Sequence, residues 1–448
     1  MSNILFDSLK KYQKIKRSPF HTPGHKGVAL KRYDIMSLDY TELPDTDSLY
    51  ECKSIIRQAE DELSVLYGSS RTLISCGGNT LNIQAMIRLV APTGGKILCD
   101  RIVHRSAVSA MALLGVEPIW IPRKIDQKSG LATQVDMDVI KSALTKNNDI
   151  KAVYITSPDY YGIMQDIKAI AEKCKEHDIP LIVDNAHGSH LKFVRNGMHP
   201  IELGATMSAD SAHKTLPVLT GGAWLHIADK KYVANAKEAM ALFGSTSPSY
   251  PTMASIDLCR SWLSTSGYSE FAKLEQNVKN VRDICKERGV YIPDEDITDP
   301  CRLTLGVWSV GMSGYKFREY LYRFKIEAEF CDENYVVLVP SPFNKVADWN
   351  RITRAIDKLK YEVSNTSPIT LKVTDKVTPL PKVECSLRSA VMSKQEKLKV
   401  DFALGRVSAE TTFSCPPAVP VIMPGEFIGN AEQELLHKHG IKEISVVK

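Results

Sequence analysis

Four short stretches carry residue types that could share one reaction. In Leu181-Ile-Val-Asp184-Asn-Ala-His187-Gly-Ser-His190, an apolar run ends on an acid and a histidine follows three residues on. A carboxylate at the end of a buried strand can keep a heteroaromatic nitrogen protonated, because an opposite charge favours ionisation. In Ser208-Ala-Asp210-Ser211-Ala-His213-Lys214-Thr215, a serine, a histidine and a lysine come close together before the apolar Leu216-Pro-Val-Leu-Thr-Gly-Gly-Ala-Trp224. A lysine entering such a region has its amine pushed towards the neutral form, which can condense with an aldehyde. Ser211 and His213 could bind a phosphate beside it. The turn Cys76-Gly77-Gly78-Asn79-Thr80 lies between an apolar run and a helical pattern, and its backbone N–H groups could close around a phosphate. Asp100-Arg-Ile-Val-His104-Arg105-Ser106 offers His104 as a ring to stack on a flat ligand.

Each stretch alone has an ordinary reading. Asp184 and His187 could be a loop acid and a surface histidine, Lys214 a solvated lysine, the double glycine a plain turn, and His104 the start of a helix. The set is more specific. An imine-forming lysine, a ring-nitrogen acid, a phosphate cradle and a stacking histidine describe a site for pyridoxal 5′-phosphate (PLP), a cofactor that serves as an electron sink.

Such a site needs elements that deliver all four stretches to one place. Short apolar runs at 72–75, 96–100, 118–121, 152–156, 181–184, 206–209 and 223–227 alternate with helical patterns near 79–90, 104–115, 135–145 and 166–177. This alternation predicts βαβ units and a mostly parallel sheet covered on both faces. Ligands in such folds bind beyond the carboxyl ends of the strands, where all four stretches fall. Residues 1–50 read as an N-terminal arm and 51–295 as the large domain. Residues 296–365 mix strands (302–310, 335–339) with helices (314–324, 347–359) in a small α+β domain. Residues 366–384 read as a linker, and 385–448 as a C-terminal domain with a helix near 386–398.

The 448 residues are 44% apolar and 24% charged, which excludes disorder or a small disulfide scaffold as a whole-chain reading. A net charge of +5 over this length is too slight to argue for nucleic acid or an anionic membrane. The ten cysteines include no Cys-x-x-Cys pair, so no metal site is expected. Their scatter fits a reducing, cytoplasmic setting. The N-terminus has no signal-peptide core, and no apolar run reaches the length of a membrane span.

At this point the sequence resembles the Orn/Lys/Arg decarboxylases, bacterial aminotransferase-like enzymes that act on basic amino acids. The resemblance is carried by Phe20-His21-Thr-Pro23-Gly24-His25-Lys26-Gly27, Thr41-Glu42-Leu43, Asp184-x-x-His187-Gly and Ser211-x-His213-Lys214-Thr-Leu-Pro217. Ala403-Leu-Gly405-Arg406-Val-Ser-Ala-Glu410 and Pro416-Pro417-Ala-Val-Pro420-Val-Ile-Met-Pro424-Gly425-Glu426 extend it to about residue 428. It corresponds to the short members, with no wing domain before the arm, and so implies a homodimer with shared active sites.

The resemblance implies an α/β chain with a PLP fold type I large domain and smaller α+β C-terminal domains. Lys214 would carry the cofactor as an imine, Asp184 would pair with the ring nitrogen, and His104 would stack on the ring. Ser211, His213, Gly77, Gly78 and Asn79 would hold the phosphate, with His187 beside cofactor and substrate. Glu426, across the dimer interface, and His25 would bind substrate. The implied reaction is decarboxylation of arginine, lysine or ornithine to the amine and CO2, compatible with polyamine synthesis or acid resistance. Departures occur where Gly78 and Asn79 replace the usual Ser or Thr, and where Cys415 and Ala418 replace Tyr and Gly around Pro-Pro. Transamination or aldol chemistry on the same fold, a non-catalytic PLP-binding descendant, and a plain phosphate-binding α/β protein stay open as alternatives.

Overall fold

A computed structural model describes residues 4–31, 34–363, 366–371, 373, 380–411 and 419–448. Cys415 and Ala418 lie outside the described residues. The first fifty residues include regular structure. Helix α1 (Ile4–Lys14) leads into strand β1 (Ser18–Phe20), which pairs in parallel with Ile326–Ala328 of the small domain. The loop after β1 passes beneath the Lys214 segment. Gly24 N–H donates to the His213 carbonyl at 2.8 Å, and a Cβ at Gly24 would sit 2.4 Å from the Thr215 carbonyl carbon. Only glycine permits that approach.

Helix α2 (Ile55–Tyr67) opens the large domain and ends at Gly68, whose left-handed φ of 70° stops it. Then come β2 (Arg71–Ser75), α3 (Gly78–Val90), β3 (Gly95–Asp100), α4 (Arg105–Leu114), β4 (Val116–Ile121), α5 (Met137–Lys146), β5 (Ile150–Thr156), α6 (Ile167–Glu176), β6 (Leu181–Asp184), β7 (Met207–Asp210), the short α7 (Ala212–Thr215) and β8 (Ala223–Ile227). The strands form one seven-stranded sheet in the order β2-β8-β7-β6-β5-β3-β4. Only β8 runs against the rest. Neighbouring strand residues serve opposite faces: Ile97 and Cys99 pack with α3 and α4, whereas Leu98, Val153 and Ile155 pack with α5 and α6. That two-sided burial explains why these strands read as unbroken apolar runs.

Helix α8 (Ala236–Ala241) precedes α9 (Tyr250–Glu287), a 38-residue helix whose pattern the sequence does not announce. The small domain holds β9 (Leu303–Gly306), α10 (Gly314–Arg323), β10 (Ile326–Ala328), β11 (Phe330–Cys331), β12 (Tyr335–Leu338) and α11 (Val346–Glu362). The helix expected near 386–398 is shorter. It covers α12 (Leu387–Met392), and Gln395–Lys399 instead form β13. Strand β13 pairs antiparallel with β14 (Glu443–Val447), packed by α13 (Asn430–Lys438). Among the described residues, no helix is long and apolar enough to cross a membrane.

Candidate active site

The carboxyl ends of β2, β3, β5, β6 and β7 open on a cavity of about 370 Å³. Its lining includes Gly78, Asn79, His104, Asp184, His187, Ser211, His213 and Lys214, so eight of the eleven expected site residues meet there. Parallel register produces the convergence. Asp184 ends β6 opposite Ala209 of β7, and Ser211 and Lys214 follow as β7 turns into α7.

Lys214 is the chemical centre. Its Nζ lies 3.0 Å from His187 Nε2, and His187 Nδ1 faces Arg302 Nη1 at 3.5 Å. A guanidinium only donates, so Nδ1 is the acceptor and the imidazole proton sits on Nε2, facing the lysine amine. Burial, then the charges of Lys214 and Arg302, hold His187 far below the usual imidazole range. Burial likewise depresses Lys214, partly opposed by Asp184 and Glu329. A neutral imidazole beside a depressed amine suits nucleophilic attack on an aldehyde.

Asp184 is 2% exposed and well supplied with donors. Oδ1 accepts from Asn79 Nδ2 at 3.0 Å and the Ala186 N–H at 3.2 Å, and Oδ2 accepts from the Tyr154 hydroxyl at 3.1 Å. Burial pushes its pKa up, while His104 and Lys214 pull against that. A protonated ring nitrogen beside Asp184 would add opposite charge and favour its ionised form. His104 caps α4, accepting the Ser106 N–H at Nδ1, and burial keeps its pKa low. Its ring is thereby held in a neutral, fixed plane.

The phosphate turn differs in detail from expectation. Gly77 N–H donates to Ser75 Oγ, Gly78 N–H donates to the Gly221 carbonyl, and the Asn79 side chain turns to Asp184. The backbone N–H groups left for an anion are those of Asn79 and Thr80, in the first turn of α3, where helix geometry provides no internal acceptor. Thr80 lines the cavity, and its hydroxyl stands one residue beyond the Ser or Thr the resemblance calls for. His213 Nδ1 contacts the Gly222 carbonyl at 3.1 Å, which fixes its tautomer. An amine, a buried acid with lone pairs to spare, a neutral ring and a helix start thus fit PLP.

Two expected substrate residues lie elsewhere. Glu426 is 1% exposed and grips Arg101 of its own chain in a bidentate pair, Oε1 to Nη1 at 2.5 Å and Oε2 to Nη2 at 2.8 Å. Oε2 also accepts the Met423 N–H at 2.6 Å. That carboxylate ties the C-terminal segment to the end of β3 and is not presented to a ligand. His25 accepts the Gly27 N–H and lines a separate cavity of about 410 Å³ with Pro217 and Leu258. Sequence reasoning gave no role to Thr80, Tyr160, Arg302 or Glu329. Arg302 stands at the start of an expected strand, and nothing in its neighbours marks it as a partner of His187. Tyr160 lines the cavity, sets its ring edge on His187 and donates to Glu329 at 3.2 Å.

Comparison with known proteins points to one family. Residues 4–295 match the family model for the major domain of Orn/Lys/Arg decarboxylases, and residues 373–438 match that for the C-terminal domain. The uncharacterised Bacillus subtilis protein YaaO is 32% identical, covering 96% of this chain and 92% of that one. Arginine decarboxylase of the same organism is 28% identical over 95% of this chain and 91% of its own. The solved structure of Escherichia coli constitutive lysine decarboxylase superposes with a TM-score of 0.74 at 18% identity, covering all of this chain and 82% of that one. The chain belongs to the Orn/Lys/Arg decarboxylase family, PLP-dependent carboxy-lyases of fold type I.

Proposed function

We propose that this chain releases CO2 from a basic L-amino acid, with arginine the first substrate to test and lysine and ornithine next. Arginine comes first because the relatives named for an activity and matched over nearly their full length are arginine decarboxylases. The observation that carries the reading is the meeting of Lys214, His187 and Asp184 in one cavity, the first two 3.0 Å apart. When bound, PLP supplies an aldehyde that captures the amino acid and a ring that accepts the electrons of the breaking bond.

The chain's own residues do the rest. Lys214 offers an amine of lowered pKa for attachment and release. Asp184 keeps the ring nitrogen protonated. His104 presents a neutral plane against the ring. His187 holds a proton on Nε2 at the reacting face, and Arg302 prevents that proton from settling on Nδ1. Backbone N–H groups of Asn79 and Thr80, with Ser211 and His213, hold the phosphate. The substrate's distal cation needs an anion, and Glu426 is engaged by Arg101. We assign that role to Glu329, half-buried and held by the Tyr160 hydroxyl and the Thr22 N–H.

The assembly is a homodimer in this reading. Helix α1 leaves Ile4, Leu5, Phe6, Leu9 and Tyr12 exposed, an apolar surface that a partner would cover. With arginine as substrate, the amine product fits polyamine synthesis. Borohydride reduction of PLP-treated protein, followed by peptide mass mapping, tests the assignment. The label is expected on the peptide containing Lys214, and a label on another lysine would overturn it.

A further inference from the structure

We infer that the Asn79 side chain positions Asp184 against the cofactor ring and takes no part in holding the phosphate. The inference rests on the PLP reading above. Asn79 is buried in the first turn of α3. Its Nδ2 lies 3.0 Å from Asp184 Oδ1 and 3.0 Å from the Ala209 carbonyl oxygen. Both atoms act as acceptors, so the amide nitrogen must face them, one N–H to each. Oδ1 then points to Asn82, whose Nδ2 stands 3.3 Å away and braces it from the next turn of the same helix.

The two acceptors belong to neighbouring strand ends. Asp184 and Ala209 are register partners at the carboxyl ends of β6 and β7. Asn79 therefore ties the start of α3 to the acid and to the strand that leads into Lys214. The serine or threonine expected here would have a single hydroxyl proton and could not serve both acceptors. With Asn79 and the Ala186 N–H on Oδ1, and Tyr154 on Oδ2, the carboxylate is fixed in orientation while Oδ2 keeps acceptor capacity for a ring N–H. The departure from the family pattern thus moves a side chain from one end of the cofactor to the other. Anion binding is left to the backbone of the same residue and to Thr80.

The two roles can be separated with PLP and pyridoxal, which share a ring and differ in the phosphate. Binding of each would be titrated by absorbance on the intact protein and on Asn79→Ala and Asn79→Ser. The ring nitrogen would be followed by NMR with cofactor labelled there with nitrogen-15. Loss of one hydrogen bond to a charged acceptor should weaken Asn79→Ala by about tenfold for both ligands, leaving their ratio unchanged. The ring resonance should move towards the unprotonated position, with Asn79→Ser between. If Asn79→Ala fails to fold, Asn79→Ser carries the comparison. A loss confined to PLP would make Asn79 a phosphate ligand and overturn the inference. So would an unchanged resonance and affinity in a parent that binds PLP. A parent that bound neither ligand would overturn the PLP reading, and this inference with it.

Discussion

Lys214 and Glu426 show how differently two residues picked out by the same family motifs can be used. Lys214 faces the cavity with a depressed amine, whereas Glu426 lies buried against Arg101. Removing Glu426 strands a buried guanidinium, so Glu426→Ala should cost about 3–5 kcal/mol of stability, read as a lowered denaturation midpoint. Glu329→Gln should instead raise KM for a basic amino acid, by about tenfold, with a smaller change in kcat. An unchanged KM would return the search for the distal-cation site to other acids. Asp184→Ala should reduce turnover far more than substrate binding, since the acid acts on the ring and not on the amino acid. Near-normal turnover in that variant would refute the electron-sink role. Lys214, Asp184, His187 and His104 were legible because each lies within a few residues of an apolar run whose end fixes its position. The direction of Asn79, the occupation of Glu426 and the role of Arg302 were not, because each depends on a partner more than a hundred positions away.

At the scale of elements, the sheet was readable and the long helix was not. Strands buried on both faces write themselves as apolar runs. Helix α9 buries Thr252, Ser255, Cys259, Leu263, Gly267 and Phe271 at helical spacing, yet half of these carry no apolar signal. Gly267 is small because Phe193 lies against it, where a Cβ would come within 2.8 Å of the ring. Strand β13 reads as helix in the sequence because its partner β14 lies beyond local reach. The junction of arm and α2 has its own device. Asp47 accepts N–H groups from Ser48, Lys53, Ser54 and Ile56. Burial raises its pKa, but these bonds more than offset that and bring it from an ordinary 3.8 to about 2. The folded value lies below the unfolded one, so ionised Asp47 stabilises above about pH 4, and the contribution fades as pH falls from there to 2. Asp47→Ala should lower stability by about 1–2 kcal/mol at neutral pH and flatten the acid limb of the melting curve over that window. An unaltered acid limb would assign acid sensitivity to other groups.

For the whole molecule, the parallel sheet brings five strand ends to one edge, and the arm and C-terminal segment close over that edge from opposite ends of the chain. The loop after β1 supports the Lys214 segment through Gly24, and Glu426 fastens the C-terminal segment to β3. The exposed apolar face of α1 gives the assembly question a concrete form. Light scattering should report a dimer for the parent and a shift towards monomer for Leu5→Asp combined with Leu9→Asp. A parent that is monomeric at micromolar concentration would remove the shared-site reading. The central claim concerns chemistry, and carboxyl-labelled substrates test it most directly. PLP-loaded protein should release labelled CO2 from at least one of arginine, lysine and ornithine, with the matching amine in equal amount. Consumption of the amino acid with the label retained in a keto acid or an aldol product would contradict the account.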